Sequence, residues 1–210
     1  MSARDPETTD ETLMLAYKAG DAAAFEYLYG RWKGRLFRYL LHQCGDRARA
    51  EEMHQDVWMK VIGARAGYEV AAKFSTWLFR IAHNRLIDHW RASGRQAAEL
   101  ASHGDDPDDD GPPLVEQVPA PPDEAPDRRL ERKAVAERLA SAIDALPAAQ
   151  REAFLMAEEG EMSLEEIASA TGTGRETVKS RLRYALAKLR QGLGDLAPPS
   201  ARTTRGGRGE

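Results

Sequence analysis

One cysteine, Cys44, stands alone among 210 residues. A lone thiol excludes an internal disulfide and a cysteine cage for zinc. Its plain reading is a small buried side chain. No apolar run approaches the ~18 residues of a membrane span, so no membrane insertion is expected. Met1 to Asp10 is acidic and polar, without the basic start and apolar stretch of a secretory signal. The expected location is therefore cytoplasmic. The chain also lacks an HExxH pair, a Gly-rich phosphate loop and a nucleophile elbow. His83, Asp88 and His89 offer ligand types for a metal, but on one helix His83 and His89 fall on different faces and do not converge. No catalytic residue, no metal and no cofactor are expected, and the enzyme reading is set aside.

Basic charge is missing from one segment only. Ala97 to Asp127 holds no Lys or Arg, ten acids and seven of the eleven prolines. The whole chain carries −4; without those ten acids the remainder carries +6. The low isoelectric point thus hides two mildly basic parts joined by an acidic tether. Pro, like charge and few apolar residues predict a flexible linker, ~30 Å end to end as a coil. Such a tether is expected to let two binding surfaces stand well apart.

The parts on either side lack sustained period-two alternation, and strong helix formers dominate them. The predicted fold is all-α, with two small helical domains. Residues 1–9 form a disordered N-terminus, 10–96 an N-terminal helical bundle, 97–127 the linker, 128–194 a C-terminal four-helix domain, and 195–210 a disordered tail. Four helices are predicted in the first domain: about Asp10–Ala19, Asp21–Gln43, Arg47–Ile62 and Ser75–Gly94. In the second, one helix runs from near Arg128 to Ala145 and another from Ala149 to Glu158.

Its last two helices carry the sharpest local pattern. Ser163 and Glu166 form a capping box. Gly172 supplies the positive φ of a tight turn, and a second helix runs from about Arg175 to Arg190. Two helices joined by a short Gly turn make a helix-turn-helix. At 100° per residue, Val178, Leu182, Ala185, Leu186 and Leu189 share the buried face. Ser180, Arg183 and Ala187 point the other way, flanked by Lys179 and Tyr184. Small residues between polar ones suit a major groove. Arg183 fits a guanine edge; Arg175, Lys179 and Arg181 fit phosphates.

A second segment, Phe74-Ser-Thr-Trp77-Leu78-Phe79-Arg80 through Arg91, interleaves aromatic and basic residues. From Lys73 to Arg95 the net charge is +4, Asp88 being the one acid. Arg80, Asn84, Ile87 and Arg91 line one side, opposite Phe74, Leu78, Ile81, Ala82 and Leu86. Rings for stacking and cations for phosphates suit single-stranded nucleic acid.

"FSTWLFRIAHNRLIDHWR" resembles the promoter-melting, −10-reading helix of extracytoplasmic-function sigma factors of bacterial RNA polymerase. "AEEMHQDVWMKVI" resembles their polymerase-clamp-binding helix, and "LPAAQREAFLMAEEGEMSLEEIASATGTGRETVKSRLRYALAKLR" their −35-reading domain. The three stretches occur in the family's order and span Asp10 to about Leu193. The resemblance implies a sigma factor that binds core RNA polymerase and directs promoter-specific initiation. It places Asp56, Val57 and Trp58, with Glu52 and Gln55 nearby, on the clamp-docking surface. It assigns Asn84, Asp88 and the loop Tyr68–Lys73 to the −10 element, where Lys73, Arg80 and Arg91 add positive charge. Lys179, Ser180, Arg183 and Tyr184 match the −35-reading positions, with Arg175 and Arg181 beside them. Implied partners are core polymerase, promoter DNA (double-stranded at −35, partly single-stranded at −10) and an anti-sigma factor that would impose stress control from outside. The alternative is a stand-alone helix-turn-helix regulator, which would bind duplex DNA unaided and has no need of the aromatic-basic helix.

Overall fold

The structure, a computed structural model, describes residues 8–92 and 126–193. The acidic segment through residue 125, the first seven residues and the tail from residue 194 lie outside the described residues. The expected tether, most of the expected N-terminal disorder and the expected tail disorder fall there.

Among the described residues eight α-helices follow in order: α1 Asp10–Lys18, α2 Ala22–Cys44, α3 Arg47–Gly63, α4 Phe74–Ala92, α5 Pro126–Asp144, α6 Ala148–Glu158, α7 Leu164–Thr171 and α8 Arg175–Gly192. A 3-10 turn, Arg65–Gly67, lies between α3 and α4. No strand occurs among the described residues. The helix starts follow from short polar caps. Thr9 accepts from the backbone N–H of Thr12, Asp21 from those of Ala23 and Ala24, and Asp46 from that of Arg49. Each satisfies a donor that the first helical turn leaves orphaned. Thr8 and Thr9, expected within a disordered start, therefore have fixed roles; the Thr8 carbonyl also accepts from Arg31 Nη1 at 2.6 Å. Helix α5 opens two residues earlier than expected, with Pro126 in its first position, where a fixed φ and a missing N–H cost nothing.

Helices α1 to α4 bury one face each. Leu28, Leu36 and Leu40 of α2 meet Met53, Val57 and Val61 of α3 and Phe74, Leu78 and Leu86 of α4, all fully or almost fully buried. Helix α1 holds the start of α4 in place: Glu11 accepts from the Phe74 backbone N–H at 2.7 Å. Asp10 likewise pins α2, accepting from Arg31 and from the Trp32 indole, both at 2.8 Å. In the C-terminal domain α6 and α7 pack on α8, and α5 covers its end. Between α6 and α7 the chain turns at Gly160, where a Cβ would stand 2.6 Å from the Met156 carbonyl oxygen. The next residue, Glu161, holds φ at +51°, a left-handed conformation that side chains with a Cβ rarely adopt.

The two domains are not held apart. Helix α4 packs on α7, and α2 packs on α6 and α5. The buried apolar residues form one cluster running from Leu13 to Leu189 across both domains.

Candidate nucleic-acid and polymerase interfaces

The helix-turn-helix forms as its sequence requires. Ser163 accepts from the Glu166 N–H at 3.3 Å, and the Glu166 carboxylate accepts from the Ser163 N–H at 2.8 Å. Burial pushes the Glu166 carboxyl upward, but hydrogen bonds from Ser163 and Lys73 outweigh it and hold it below the ordinary carboxylate value. Gly172 takes φ +65° and ends α7. Helix α8 then buries Val178, Ala185 and Leu189 and exposes Lys179, Arg183, Tyr184 and Ala187. Ser180 and Arg181 lie half-buried at the border of that face. Leu186 departs from expectation: it is 39% exposed, because it points past the edge of the contact that its helical neighbours make.

Charges on this face are partly engaged. Arg175 pairs with Glu165 of α7 and with Glu176. The Arg175 hydrogen bond holds the Glu165 carboxyl low. Lys179 reaches Glu176 at 3.4 Å. Arg183 lies over the Tyr184 ring, 4.9 Å from its centroid, and donates to the phenol oxygen at 3.2 Å. A planar guanidinium stacked on a ring keeps its outer N–H groups aimed outward.

Helix α4 presents Arg80, Asn84, Asp88 and Arg91 as exposed residues at spacings of four, four and three. That is one outward stripe. Ile87, expected on it, is half-buried beside it. Lys73, just before the helix, is exposed and reaches Glu166 of α7 at 3.2 Å. The aromatics divide by task. Phe79 is core, with its ring 5.1 Å from that of Tyr39. Trp77 is half-buried and packs edge-on to Tyr68. Tyr68 is itself buried, its phenol pushed up to about 12 by burial and by Glu11 and Asp10.

The clamp-docking set needs correction. Glu52 and Gln55 are exposed and Asp56 is half-buried at the surface. Val57 and Trp58 are core residues, 0% and 5% exposed. Trp58 packs against the rings of Phe25 and Tyr29 and donates its indole N–H to His54. The next residue, Met59, is 59% exposed instead. A helix turns 100° per residue, so a stretch of adjacent residues cannot all share one face. Arg85 of α4 ties this surface down, donating to Asp56 at 2.7 Å and to Glu52 at 3.4 Å. Asp56, Met59, Lys60, Arg85 and Asp88 line an open cleft between α3 and α4.

This pairing of an aromatic-basic helix with a helix-turn-helix is matched by known families. The model of sigma-70 region 2 matches residues 28–96, and that of sigma-70 region 4 matches residues 136–189. The ECF RNA polymerase sigma factor RpoE of Cereibacter sphaeroides is 32% identical over 172 residues, which cover 81% of this chain and 87% of that protein. This chain belongs to the extracytoplasmic-function sigma factors. SigL of Mycobacterium tuberculosis, of the same family, is 33% identical over 184 residues, covering 85% of this chain and 93% of that one. Among solved structures, the sigma factor RpoE of Bartonella quintana in complex with the anti-sigma factor NepR superposes with a TM-score of 0.59 at 24% identity, over 81% of this chain and 96% of that one. CnrH in complex with the cytosolic domain of CnrY gives 0.57 at 24% identity, over 90% and 99%. These two share the fold. As a sigma factor, the chain is a transcription initiation factor that directs RNA polymerase to promoters.

Sequence reasoning passes over the groups that join the domains. Glu152 is 1% exposed, and its Oε1 accepts from the Tyr39 hydroxyl at 3.0 Å and lies 2.7 Å from His83 Nδ1. A signal for it is present: in α6, Glu152 falls on the same face as Ala149, Ala153 and Met156. A carboxylate on an apolar stripe requires a partner from elsewhere.

Proposed function

We propose that this sigma factor reads its promoter with two exposed stripes and meets polymerase through a third surface. The stripe on α8, with Lys179, Ser180, Arg183 and Tyr184 at its centre and Arg175 and Arg181 at its edges, enters the major groove of the −35 element. Arg183 reads a base edge; Arg175, Lys179 and Arg181 take phosphates. Arg175 must exchange its two carboxylates for phosphate, so its share of affinity is small. The stripe on α4, with Arg80, Asn84, Asp88 and Arg91 plus Lys73, holds the −10 strand once it is single. Asn84 and Asp88 contact an extruded base while the cations follow the backbone. Glu52, Gln55 and Asp56, with Met59, dock the polymerase clamp through acidic groups around an apolar centre.

The observation that carries this reading is the exposure, on opposite sides of Val178, Ala185 and Leu189, of a polar face on the second helix of a capped helix-turn-helix. The solved neighbour from Bartonella quintana is a complex with an anti-sigma factor, which supports an anti-sigma partner for this chain. Among the described residues no helix is long and apolar enough to cross a membrane. The chain works in the cytoplasm, beside polymerase, and without catalysis of its own. Run-off transcription with purified core polymerase and a panel of promoters tests the reading. Promoter-dependent transcripts that vanish in Arg183→Ala and Asn84→Ala support it; a chain that fails to bind core polymerase overturns it.

A further inference from the structure

One residue on the outward face of α8 has the wrong charge for a nucleic-acid backbone. Glu176 stands in the first turn of the helix, and its side chain is 74% exposed. Glu176, Ser180, Arg183 and Ala187 recur at spacings of four, three and four, which aligns them along one side of a helix. That line lies opposite the buried Val178, Ala185 and Leu189, with Arg175, Lys179 and Arg181 to its sides. A helix in a major groove turns its central line to base edges and its flanks to phosphates. Its N-terminal residues are the ones that contact the bases. Glu176 is therefore set to meet a base, not the backbone.

The partners of Glu176 in the free chain are cations that have other work on DNA. Arg175 Nη1 donates to Glu176 Oε1 at 3.0 Å, and Lys179 Nζ donates to Oε2 at 3.4 Å. Pairs as exposed as these are screened and exchange readily. Arg175 also bonds Glu165 of α7, so its place on the helix does not depend on Glu176. When both cations turn to phosphates, the Glu176 carboxylate faces the groove floor without a donor. Only cytosine, through N4, and adenine, through N6, present a donor there. Adenine sets its N7 acceptor beside the amine, which repels a carboxylate, and guanine and thymine present acceptors. The N4 amine of cytosine is the fitting partner.

We propose that Glu176 is a second base-reading residue of α8: its carboxylate accepts from the N4 amine of a cytosine in the −35 element and disfavours the other three bases at that position. The inference rests on the promoter reading, since it requires α8 in the major groove. Arg183 with a guanine and Glu176 with a cytosine then make two contacts of opposite polarity. They are seven positions apart in the chain, or ~10 Å along the helix axis. At about 3.4 Å per base pair, the two bases they read lie about three pairs apart. An acid on this line weakens binding to DNA in general and regains the loss only where a cytosine stands, which is discrimination by repulsion.

The test uses the full chain with core polymerase and a promoter library randomised across the −35 element. The DNA retained by the complex is sequenced. The unchanged chain is expected to enrich a cytosine about three base pairs from an enriched guanine. E176A should lower the cytosine preference about fivefold or more and keep the guanine, which also shows that the helix is intact. E176Q should turn the preference to adenine, because Gln pairs with adenine N6 and N7. R183A should lose the guanine and keep the cytosine. Stronger binding of E176A to all sequences alike, with base preferences unmoved, would make Glu176 a mere surface charge and overturn the inference. An unchanged chain that enriches the guanine without the cytosine overturns it too. In both cases a guanine lost in R183A leaves the promoter reading standing. No −35 preference in the unchanged chain overturns both.

Discussion

The outward face of α8 and the hidden faces between the domains use the same residue types to opposite ends. On α8, cations meet carboxylates of their own domain: Arg175 and Lys179 lean on Glu165 and Glu176. At the domain interface, basic groups of one domain reach acids of the other. Burial separates the two cases energetically. Exposed pairs on α8 are screened and exchange readily; the pairs around Glu152 are shielded and geometrically demanding. Charge left near the surface remains available for nucleic acid, whereas charge taken inside specifies one docking.

Four outcomes would sharpen or break this contrast. The largest effect is expected at Arg183: replacement by Ala should lower promoter-specific transcription roughly 10- to 100-fold, the loss of one base-edge contact, with the melting temperature unchanged. A loss of stability instead would make Arg183 structural. Next comes Glu152→Ala, which leaves Tyr39 and His83 without an acceptor in a buried place. Urea unfolding should show a loss of ~1–3 kcal/mol, together with a looser domain contact; an unchanged midpoint would remove Glu152 from the interface argument. Ser163→Ala should cost ~1 kcal/mol by uncapping α7, seen as a lower melting temperature that Asp at the same position rescues. The smallest concerns Cys44. Burial pushes its thiol up to about 12, so it remains protonated across pH 7 to 9, and only the thiolate is nucleophilic. Alkylation by iodoacetamide should be slow in the folded chain and fast in urea. Equal rates would place Cys44 at an open surface.

Much of the architecture can be read from local pattern. The capping residues Asp21 and Ser163, the stops at Gly45 and Gly172, and the spacing of Val178, Ala185 and Leu189 all act within a few residues of themselves. Their consequences are therefore legible in the amino-acid order alone. The face proposed to dock the polymerase clamp is half legible. Glu52, Gln55 and Asp56 point outward as expected, but Val57 and Trp58 do not, since a motif names consecutive residues while a helix distributes them around its axis. Leu186 departs for a related reason: the width of a buried stripe depends on the curvature of the neighbour it meets.

What the sequence determined by itself is the set of helices, the two polar stripes and the acidic segment between the halves, because propensity, capping and charge are local properties. The relation of the halves to each other was decided only in three dimensions. Arg38 and Glu159, or Tyr39 and Glu152, are more than a hundred residues apart in the chain, and no periodicity or spacing links them. Their meeting depends on the match of two folded surfaces, one basic and one acidic, closing over a common apolar core.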